Sequence, residues 1–341
     1  MMKFSSFLNL IFFSFFALLS CTKDNQSHPF QTSKDIYILG GQENGFPVIP
    51  TYWKNGSPVV FLDSLLYPES IAVSGTNIYI GGWDQGNITV YYKNSTRNVF
   101  DDAIFPNASM GLKVSGEDVY MTGVGNGTTS YWKNNTPVEV DWALGANSQV
   151  QSSGPAIASA FAVSGNDIYF AGQVVDTIGN NGIYVPMAAY WKNGKINLLD
   201  RAAVYAQPTG MVVWGSNVYI CANKMNNLNA DGSFTMGGSD TAMYWSNGVS
   251  VILGAGYASS IFVSNGDVYV SGTTVDGSAV YWKNGHQIML APNANTKGIV
   301  VIDNDVYVAG NLGYRYGVYW KNGVVDTLCT NGFITAITLG N

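Results

Sequence analysis

The chain repeats one short aromatic motif seven times, and this repetition constrains its fold more than any other feature. The motif is Tyr-Trp-Lys-Asn-Gly or a near variant, with copies beginning at Tyr52, Tyr91, Tyr131, Tyr190, Tyr244, Tyr281 and Tyr319. A second motif, an aliphatic residue followed by tyrosine and an apolar residue, precedes each copy, with its tyrosines at Tyr37, Tyr79, Tyr120, Tyr169, Tyr219, Tyr269 and Tyr307. A period of about 40 residues indicates a repeat architecture, in which each unit buries its apolar faces against its neighbours.

One repeat, Ser260–Leu290, shows the unit most clearly. It contains four short β-rich runs separated by turns, and its third and fourth runs are joined at Asn284-Gly285. Asn-Gly is a strong signal for a two-residue hairpin, because both positions require a positive φ that Asn tolerates and Gly adopts freely. Each repeat is therefore predicted to be a four-stranded antiparallel sheet.

Four strands in about 40 residues are typical of a β-propeller blade. The sequence predicts an all-β, seven-bladed β-propeller over residues 35–341. The first repeat starts at Asp35 without an innermost strand, whereas the chain ends with a spare β-rich run, Phe333–Leu339. We expect this C-terminal strand to pair into the first blade, because closure removes two exposed sheet edges.

Composition supports this fold class and excludes one class of partner. Only 11% of the residues are charged and the net charge is −6, so the chain lacks the basic clusters that nucleic-acid binding requires. Glycine is abundant and there are only four glutamates, which leaves almost no window with helical spacing and strong helix formers. We expect a monomer that binds no nucleic acid.

The N-terminus has the features of an export signal. Residues 1–20 contain Lys3 and then a Phe/Leu-rich run that ends before Cys21. Leu18-Leu19-Ser20-Cys21 resembles the bacterial lipoprotein lipobox, which implies cleavage before Cys21 and acylation of that residue. The alternative is a plain secretory signal. Residues 21–34 read as a flexible tether, and Lys23-Asp24 resembles the surface-export signal of Bacteroidetes lipoproteins. The chain is thus expected at the cell envelope, on the outer membrane.

The Tyr-Trp-Lys-Asn-Gly copies resemble HAF-type extracellular repeats, whose units centre on an aromatic-Trp-x-x-Gly hairpin. The resemblance covers roughly residues 35–339 and implies an exported β-repeat protein. It carries no catalytic residue over to this chain. The repeated tryptophans, in contrast, are predicted to form the core between blades.

Two faces of the propeller differ in their loops. With the strands named A to D from the axis outward, the A–B and C–D turns share one face, here called the turn face. The B–C loops and the D-to-A connections share the other, here called the loop face. Long insertions fall on the loop face, at Gln173–Met187 and Asn223–Thr241, beside a long connection at Asp141–Ala156. Longer loops on a rigid scaffold often carry function.

Candidate ligand-binding residues follow from that placement. The loop face is predicted to be acidic, with few cations such as Lys297. Its aromatic and acidic residues could stack on sugar rings and bond their hydroxyl groups. The candidates are Trp83, Asp84, Trp142, Asp176, Tyr184, Tyr205, Asp231, Phe234, Tyr314 and Tyr316. The alternative is that several of the aromatic residues anchor loops on the scaffold, and that the acids only solvate turns.

Metal and cysteine chemistry is predicted to be sparse. Asn227, Asn229 and Asp231 have the alternating spacing of a calcium loop of the EF-hand kind, but Gly238 occupies the place of the bidentate glutamate. An ordinary Asn/Gly-rich loop is the alternative, and no other cofactor is expected. Cys221 and Cys329 lie in different repeats and are predicted to be free, buried thiols, although export permits a disulfide.

Two functions remain open at this point. The first is a non-enzymatic, membrane-anchored binding or scaffold protein that presents its loop face to a glycan, peptide or protein. The second is a cell-surface carbohydrate-active enzyme, a glycosidase or lyase, with carboxylates gathered near the propeller axis. The enzyme predicts at least two acidic side chains within about 5–10 Å of each other. No catalytic residue is identified by the sequence.

Overall fold

A computed structural model describes residues 34–43, 48–60, 66–84, 88–99, 111–125, 128–138, 160–178, 183–199, 205–225 and 240–340. The predicted signal peptide, Cys21 and residues 21–33 of the predicted tether lie outside the described residues. Every regular element within them is a β-strand. No helix long and apolar enough to cross a membrane occurs in this part of the chain.

The strands are short and follow the repeats. The first strands are β1 (Ile36–Gln42), β2 (Ile49–Lys54), β3 (Ser57–Val60), β4 (Leu66–Ser74), β5 (Asn77–Asp84), β6 (Thr89–Lys93), β7 (Thr96–Val99), β8 (Leu112–Ser115), β9 (Asp118–Gly125), β10 (Thr128–Lys133) and β11 (Thr136–Val138). The middle strands are β12 (Ala160–Ser164), β13 (Asp167–Ile178), β14 (Ile183–Lys192), β15 (Lys195–Leu198), β16 (Ala206–Trp214), β17 (Asn217–Lys224) and β18 (Thr241–Ser246). The last strands are β19 (Val249–Ser264), β20 (Asp267–Thr274), β21 (Ala279–Lys283), β22 (His286–Ala291), β23 (Ala294–Ile302), β24 (Asp305–Leu312), β25 (Tyr316–Lys321), β26 (Val324–Cys329) and β27 (Gly332–Leu339).

These strands form five four-stranded sheets and one seven-stranded sheet, all antiparallel. The seven-stranded sheet has the order β16 to β22 and contains the long strand β19. Residues 249–255 of β19 pair with β18, whereas residues 256–264 pair with β20. A single continuous strand thus ends one four-stranded unit and begins the next.

The C-terminal strand completes the first sheet, as the sequence predicts. β27 pairs antiparallel with β1, so that Ile36 faces Leu339 and Gly41 faces Phe333. The order of this sheet is β27, β1, β2 and β3. The first repeat therefore takes its innermost strand from the opposite end of the chain, and this prediction is confirmed.

The C–D turns have the backbone that their Asn residues predict. The turn asparagine has a φ between 49° and 55° in all seven copies, and its Oδ1 accepts the N–H of the aliphatic residue just before the strand B tyrosine. In the sixth copy, Asn284 accepts from Val268 at 2.8 Å. The A–B and C–D turns of a repeat therefore contact each other on the predicted turn face.

The repeated tryptophans form the core between sheets, as predicted. Trp53, Trp132, Trp245, Trp282 and Trp320 are at most 2% exposed. Each packs against the preceding repeat: Trp282, for example, clusters with Tyr219 and Tyr244. Trp53 of the first sheet clusters with Tyr307 and Tyr319 near the end of the chain. The first and last repeats are therefore in contact, which a linear stack of repeats would not allow.

Ion pairs repeat on the turn face. In five repeats the Lys before the turn asparagine binds the Asp that opens strand B, at 2.7–2.9 Å. The pairs are Lys54–Asp35, Lys133–Asp118, Lys192–Asp167, Lys283–Asp267 and Lys321–Asp305. The same lysines lie over the tyrosine rings of strand B, at 5.3–5.6 Å from the ring centroids.

One expected loop is largely strand. The insertion Gln173–Met187 extends β13 and β14, whose pairing continues as far as Ile178 and Ile183. Its β-branched and aromatic residues favour a strand over an irregular loop. The insertion therefore lengthens a hairpin. The described residues do not include the connection Asp141–Ala156. They also omit most of the insertion Asn223–Thr241, namely residues 226–239.

Candidate functional site

The described residues line an open cavity of about 360 Å³ on the axis around which the sheets are arranged. Its walls come from strands β4, β8, β12, β16, β19, β23 and β27. These strands contact one another in the order β27, β4, β8, β12, β16, β19 and β23, and β23 contacts β27 again. The cavity is therefore bounded by the innermost strand of every repeat.

β-Bulges direct side chains into this cavity. In five repeats the pairing of strands A and B shifts by one residue, so that one residue of strand A has no partner on strand B. These bulge residues are Glu69, Thr209, Ser259, Lys297 and Thr335, and all five line the cavity. A bulge bends the strand and re-aims a side chain, which explains why residues at equivalent positions converge on the axis.

Glycines on strand B make room for the bulges. A Cβ on Gly310 would overlap the carbonyl oxygen of Asn295, and a Cβ on Gly272 would overlap that of Tyr257. Gly40 is crowded in the same way by Phe333. Each of these glycines lies three residues after the tyrosine of strand B. In these three repeats the glycine thus allows strand A to approach closely, whereas Ala222 occupies the same place in the fifth repeat.

One carboxylate, that of Glu69, lines the cavity among the described residues, and its orientation is set by Trp83. Nε1 of Trp83 donates a hydrogen bond to Oε1 of Glu69 at 2.9 Å. The Trp83 ring stacks on Tyr67 with ring centroids 4.5 Å apart and an interplanar angle of 20°. Tyr67 and Trp83 thus hold Glu69 in place at the cavity wall.

Two lysines line the same cavity. Lys297 is the bulge residue of β23, whereas Lys113 pairs with Tyr120 near the other end of strand A. The Lys113 side chain is exposed, and desolvation by the protein nearby lowers the pKa of its ammonium group. Neither ammonium group has an ion pair or a hydrogen bond to any residue that the structure describes.

Hydroxyl groups complete the polar lining. Thr209 Oγ1 donates to the carbonyl oxygen of Ala258 at 2.9 Å, and Thr296 Oγ1 donates to Ser259 Oγ at 3.3 Å. Thr335 Oγ1 donates to the carbonyl oxygen of Leu39 at 3.4 Å. The first two bonds connect neighbouring repeats, and the third joins β27 to β1 within one sheet. All three orient hydroxyl oxygens, which keep lone pairs that can accept hydrogen bonds.

The predicted site residues fall in different places. Trp83 reaches the cavity through Glu69, whereas Asp84 forms an ion pair with Arg97 at 2.8 Å. Tyr205 is 5% exposed and packs in the core around Phe170 and Trp191, which suits the alternative of a loop anchor. Tyr314 is fully exposed and Tyr316 is 44% exposed.

The remaining predicted residues cannot be placed as side chains. Trp142, Asp231 and Phe234 lie outside the described residues, as do the calcium candidates Asn227 and Asn229. Asp176 and Tyr184 belong to strands β13 and β14, but their side chains are not among those described. No group of three or more His, Cys, Asp or Glu side chains that could hold a metal occurs within the described ranges.

Both cysteines of the repeats are free and buried, as predicted. Cys221 contacts Thr209 Oγ1 at 3.4 Å, and burial raises the pKa of its thiol to about 12. Burial also raises the pKa of Cys329. A thiol with a raised pKa carries little thiolate at neutral pH, so neither residue is an effective nucleophile.

Sequence reasoning missed most of the cavity residues. Glu69, Lys113, Thr209, Ser259 and Thr335 were not among the candidates, and Lys297 was assigned only to the cations of the loop face. A usable signal existed for Lys113. The other repeats have Ala72, Ala162, Val212, Phe262, Val300 and Thr338 opposite the strand B tyrosine, so a lysine there is an exception.

Comparisons with known proteins support the fold alone. No protein-family model and no curated protein matches this sequence. A puromycin-hydrolysing peptidase from Mycobacterium tuberculosis has a similar structure, with a TM-score of 0.51 and 9% identity over 78% of this chain and 46% of its own. The tricorn protease gives the same score and identity over 89% of this chain and 36% of its own.

TolB from Acinetobacter baumannii is also similar, with a TM-score of 0.47 and 14% identity over 76% of this chain and 64% of its own. The chain thus spans less than two thirds of the length of each of these proteins. At sequence identities of 14% or less, a similar structure indicates a shared architecture and does not indicate a shared activity. The sheet topology, together with the similarity to the peptidase and the tricorn protease, assigns the chain a β-propeller-like repeat fold.

Proposed function

We propose that this protein is a seven-bladed β-propeller that acts as a membrane-anchored, extracytoplasmic binding protein. Counting both halves of β19, the sheets divide into seven four-stranded units. The ring of contacts among the seven innermost strands supports this blade number. The pairing of β27 with β1 latches the ring and leaves no open end.

The axial cavity carries the proposal of a binding function. Its volume is in the range of small-molecule sites, and polar groups from several strands of the scaffold converge on it. All repeats contribute to it, so its shape depends on the closed ring. A glycan, peptide or protein segment is the class of ligand that we expect, entering from the loop face.

The cavity favours binding over glycoside hydrolysis. Glycosidases of the usual kind need two carboxyl groups that flank the scissile bond. Among the described residues that line the cavity, Glu69 supplies the single carboxylate, and it already accepts a hydrogen bond from Trp83. The loop-face candidates Trp142, Asp231 and Phe234, which lie outside the described residues, remain predictions.

Membrane attachment belongs to the same proposal. Acylated Cys21 would hold the protein on the outer membrane, and the polar segment after it would separate the propeller from the lipid surface. Two acyl chains anchor a protein far more firmly than one. A monomer is expected, because each repeat already finds its neighbours within the same chain.

A binding screen with a blocked variant tests this function. Full-length protein in detergent is applied to glycan and peptide arrays, and each hit is repeated with Ser259→Trp, which fills the cavity. Ser57→Trp is the matched control, because Ser57 is exposed on the outer strand β3. We expect the hits to be lost with Ser259→Trp and retained with Ser57→Trp. Equal binding by both variants would place the site elsewhere, and the cavity would lose its assigned role.

A further inference from the structure

We infer that the ligand of the axial cavity is a small hydroxylated anion of the sugar-acid class, bound by the ammonium groups of Lys297 and Lys113. This inference rests on the proposed function, because it assigns chemistry to the same cavity. Three observations support it. They are the positions of the two lysines, the hydrogen bond that the Glu69 carboxylate already accepts from Trp83, and the hydroxyl groups of the cavity lining.

Lys297 is placed in the cavity by the backbone itself. The register shift between Thr296 and Gly298 leaves Lys297 without a partner on β24. Gly298 follows Lys297 on β23, and Gly310 lies on the paired strand β24. Both glycines are crowded by neighbouring atoms, so the sequence specifies the local backbone. The bulge in β23 therefore places the Lys297 ammonium group at the cavity wall.

Lys113 approaches the same space from another repeat. Its strand, β8, contacts β4 and β12, whereas the strand of Lys297, β23, contacts β19 and β27. In the ring of strands, β27 and β4 lie between β23 and β8 on one side, and β12, β16 and β19 lie between them on the other. The two lysines thus face the axis from nearly opposite walls.

The charge of Lys113 is not compensated by the described protein. Desolvation alone lowers the pKa of its ammonium group, and no described carboxylate is paired with it. Neither lysine is paired with a described carboxylate, so an anion in the cavity would supply a partner for both ammonium groups. Bound anion and ammonium groups would then form charge-assisted hydrogen bonds, which are stronger than neutral ones.

Glu69 reduces this positive charge only in part. Its carboxylate is already bound by the Trp83 indole, and Tyr67 stacks on that indole. Two lysines and one glutamate give the described lining a formal charge of +1. A cationic ligand would have to approach both lysines, so the arrangement favours an anion.

The hydroxyl groups of the cavity lining determine which uncharged groups of a ligand fit beside the ammonium groups. Thr209, Ser259 and Thr335 are bulge residues at equivalent positions, and their oxygens are oriented by bonds to neighbouring strands. Such oxygens suit a ligand that carries its own hydroxyl groups. A cavity of about 360 Å³ suits a ligand of about monosaccharide size. These properties together describe a sugar acid.

Isothermal titration calorimetry on the full-length protein in detergent tests this assignment. The probes are D-glucuronate, its neutral counterpart D-glucose, and inorganic phosphate. We expect glucuronate to bind at least about tenfold more tightly than either of the others, a difference of about 1.4 kcal/mol. Its affinity should fall as salt is added, because salt screens the ion pairs.

Variants then assign the charge to the lysines. Lys297→Met and Lys113→Met should each weaken glucuronate binding by about tenfold or more. Lys195→Met is the matched control, because Lys195 is exposed on the outer strand β15, and it should bind as the wild type does. Circular dichroism melting of each variant shows whether it is folded. A variant that does not fold is replaced by Lys→Gln at the same position.

Other outcomes overturn the inference. Glucose binding equal to glucuronate, phosphate binding without glucuronate, or undiminished binding by both lysine variants would each do so. A cationic ligand would be indicated instead if Glu69→Gln abolished binding while Lys297→Met and Lys113→Met both bound normally. A neutral array ligand that Ser259→Trp excludes would leave the binding function standing while this assignment fails. No glucuronate binding by the folded wild type also contradicts it.

Discussion

Asn284 and Asp267 are joined on the turn face by a hydrogen bond of 2.8 Å from Nδ2 to Oδ1. The other end of the same amide, Oδ1, accepts the N–H of Val268 at 2.8 Å. Asn284 also has a φ of 50°, which Asn adopts more readily than most residues. One side chain therefore satisfies the turn geometry and ties two turns of the repeat together.

The first prediction concerns these roles of Asn284. Asn284→Ala should lower the free energy of unfolding by about 1–3 kcal/mol, because it loses two hydrogen bonds and places Ala at a positive φ. Asn284→Gly should cost less, since Gly accepts this φ without strain. Asn265→Gly is the control, because Asn265 has a φ of 52° and no side-chain hydrogen bond to a described residue. Urea denaturation measures all three, and equal losses at both sites would contradict the prediction.

The repeated carboxylates predict a loss of stability in acid. Hydrogen bonds from Lys283 and Asn284 lower the pKa of Asp267, and the matching Lys and Asn lower the pKa of Asp35, Asp118, Asp167 and Asp305. A group whose pKa is lowered by folding stabilises the fold above its ordinary pKa. This stabilisation is lost as pH falls from about 5 through the lowered pKa.

Urea midpoints measured between pH 7 and acid check that sign. The wild type should lose stability as pH falls, and the gap between wild type and Asp267→Asn should close at the acid end. Glu117→Gln serves as the control, because Glu117 is exposed on the turn face and has no ion pair among the described residues. A gap that stays constant with pH would contradict the prediction.

The crowded glycine of strand B predicts a large cost for a single methyl group. Gly310→Ala should lower the free energy of unfolding by at least about 2 kcal/mol, since the Cβ would overlap the carbonyl oxygen of Asn295. The fifth repeat already has Ala222 at the same place in the motif. Ala222→Gly is therefore the reverse control, and it should cost about 1 kcal/mol. Thermal melting compares them, and the opposite order of effects would show that the bulge does not need this glycine.

The lipid anchor predicts a chemical change at one cysteine. Expression in a Gram-negative host with an alkyne-bearing palmitate should label the wild type, which should fractionate with the membranes. Cys21→Ser should be unlabelled and released from them, because it lacks the acylated thiol. Cys221→Ala should keep the label, since Cys221 is buried in the repeats. A wild type without label would leave the plain secretory signal as the explanation of residues 1–20.

The sequence by itself determined the repeat architecture, because its signals are local. The turn asparagines adopt positive φ, the tryptophans are buried, and the last strand pairs with the first, all as the motif spacing predicts. Each of these features depends on the conformational preferences of a few adjacent residues, or on apolar runs that must be covered. The free thiols of Cys221 and Cys329 followed from their positions in different repeats.

The tertiary structure alone decided where the cavity residues lie. Whether Lys297 faces the axis depends on a one-residue register shift, and that shift arises where strand A packs against Gly310 and against neighbouring strands. A one-residue shift reverses the side on which a strand residue points, so no spacing in the sequence reveals it. In the same way Glu69, Lys113 and Lys297 are far apart along the chain and meet only because the ring closes around one axis.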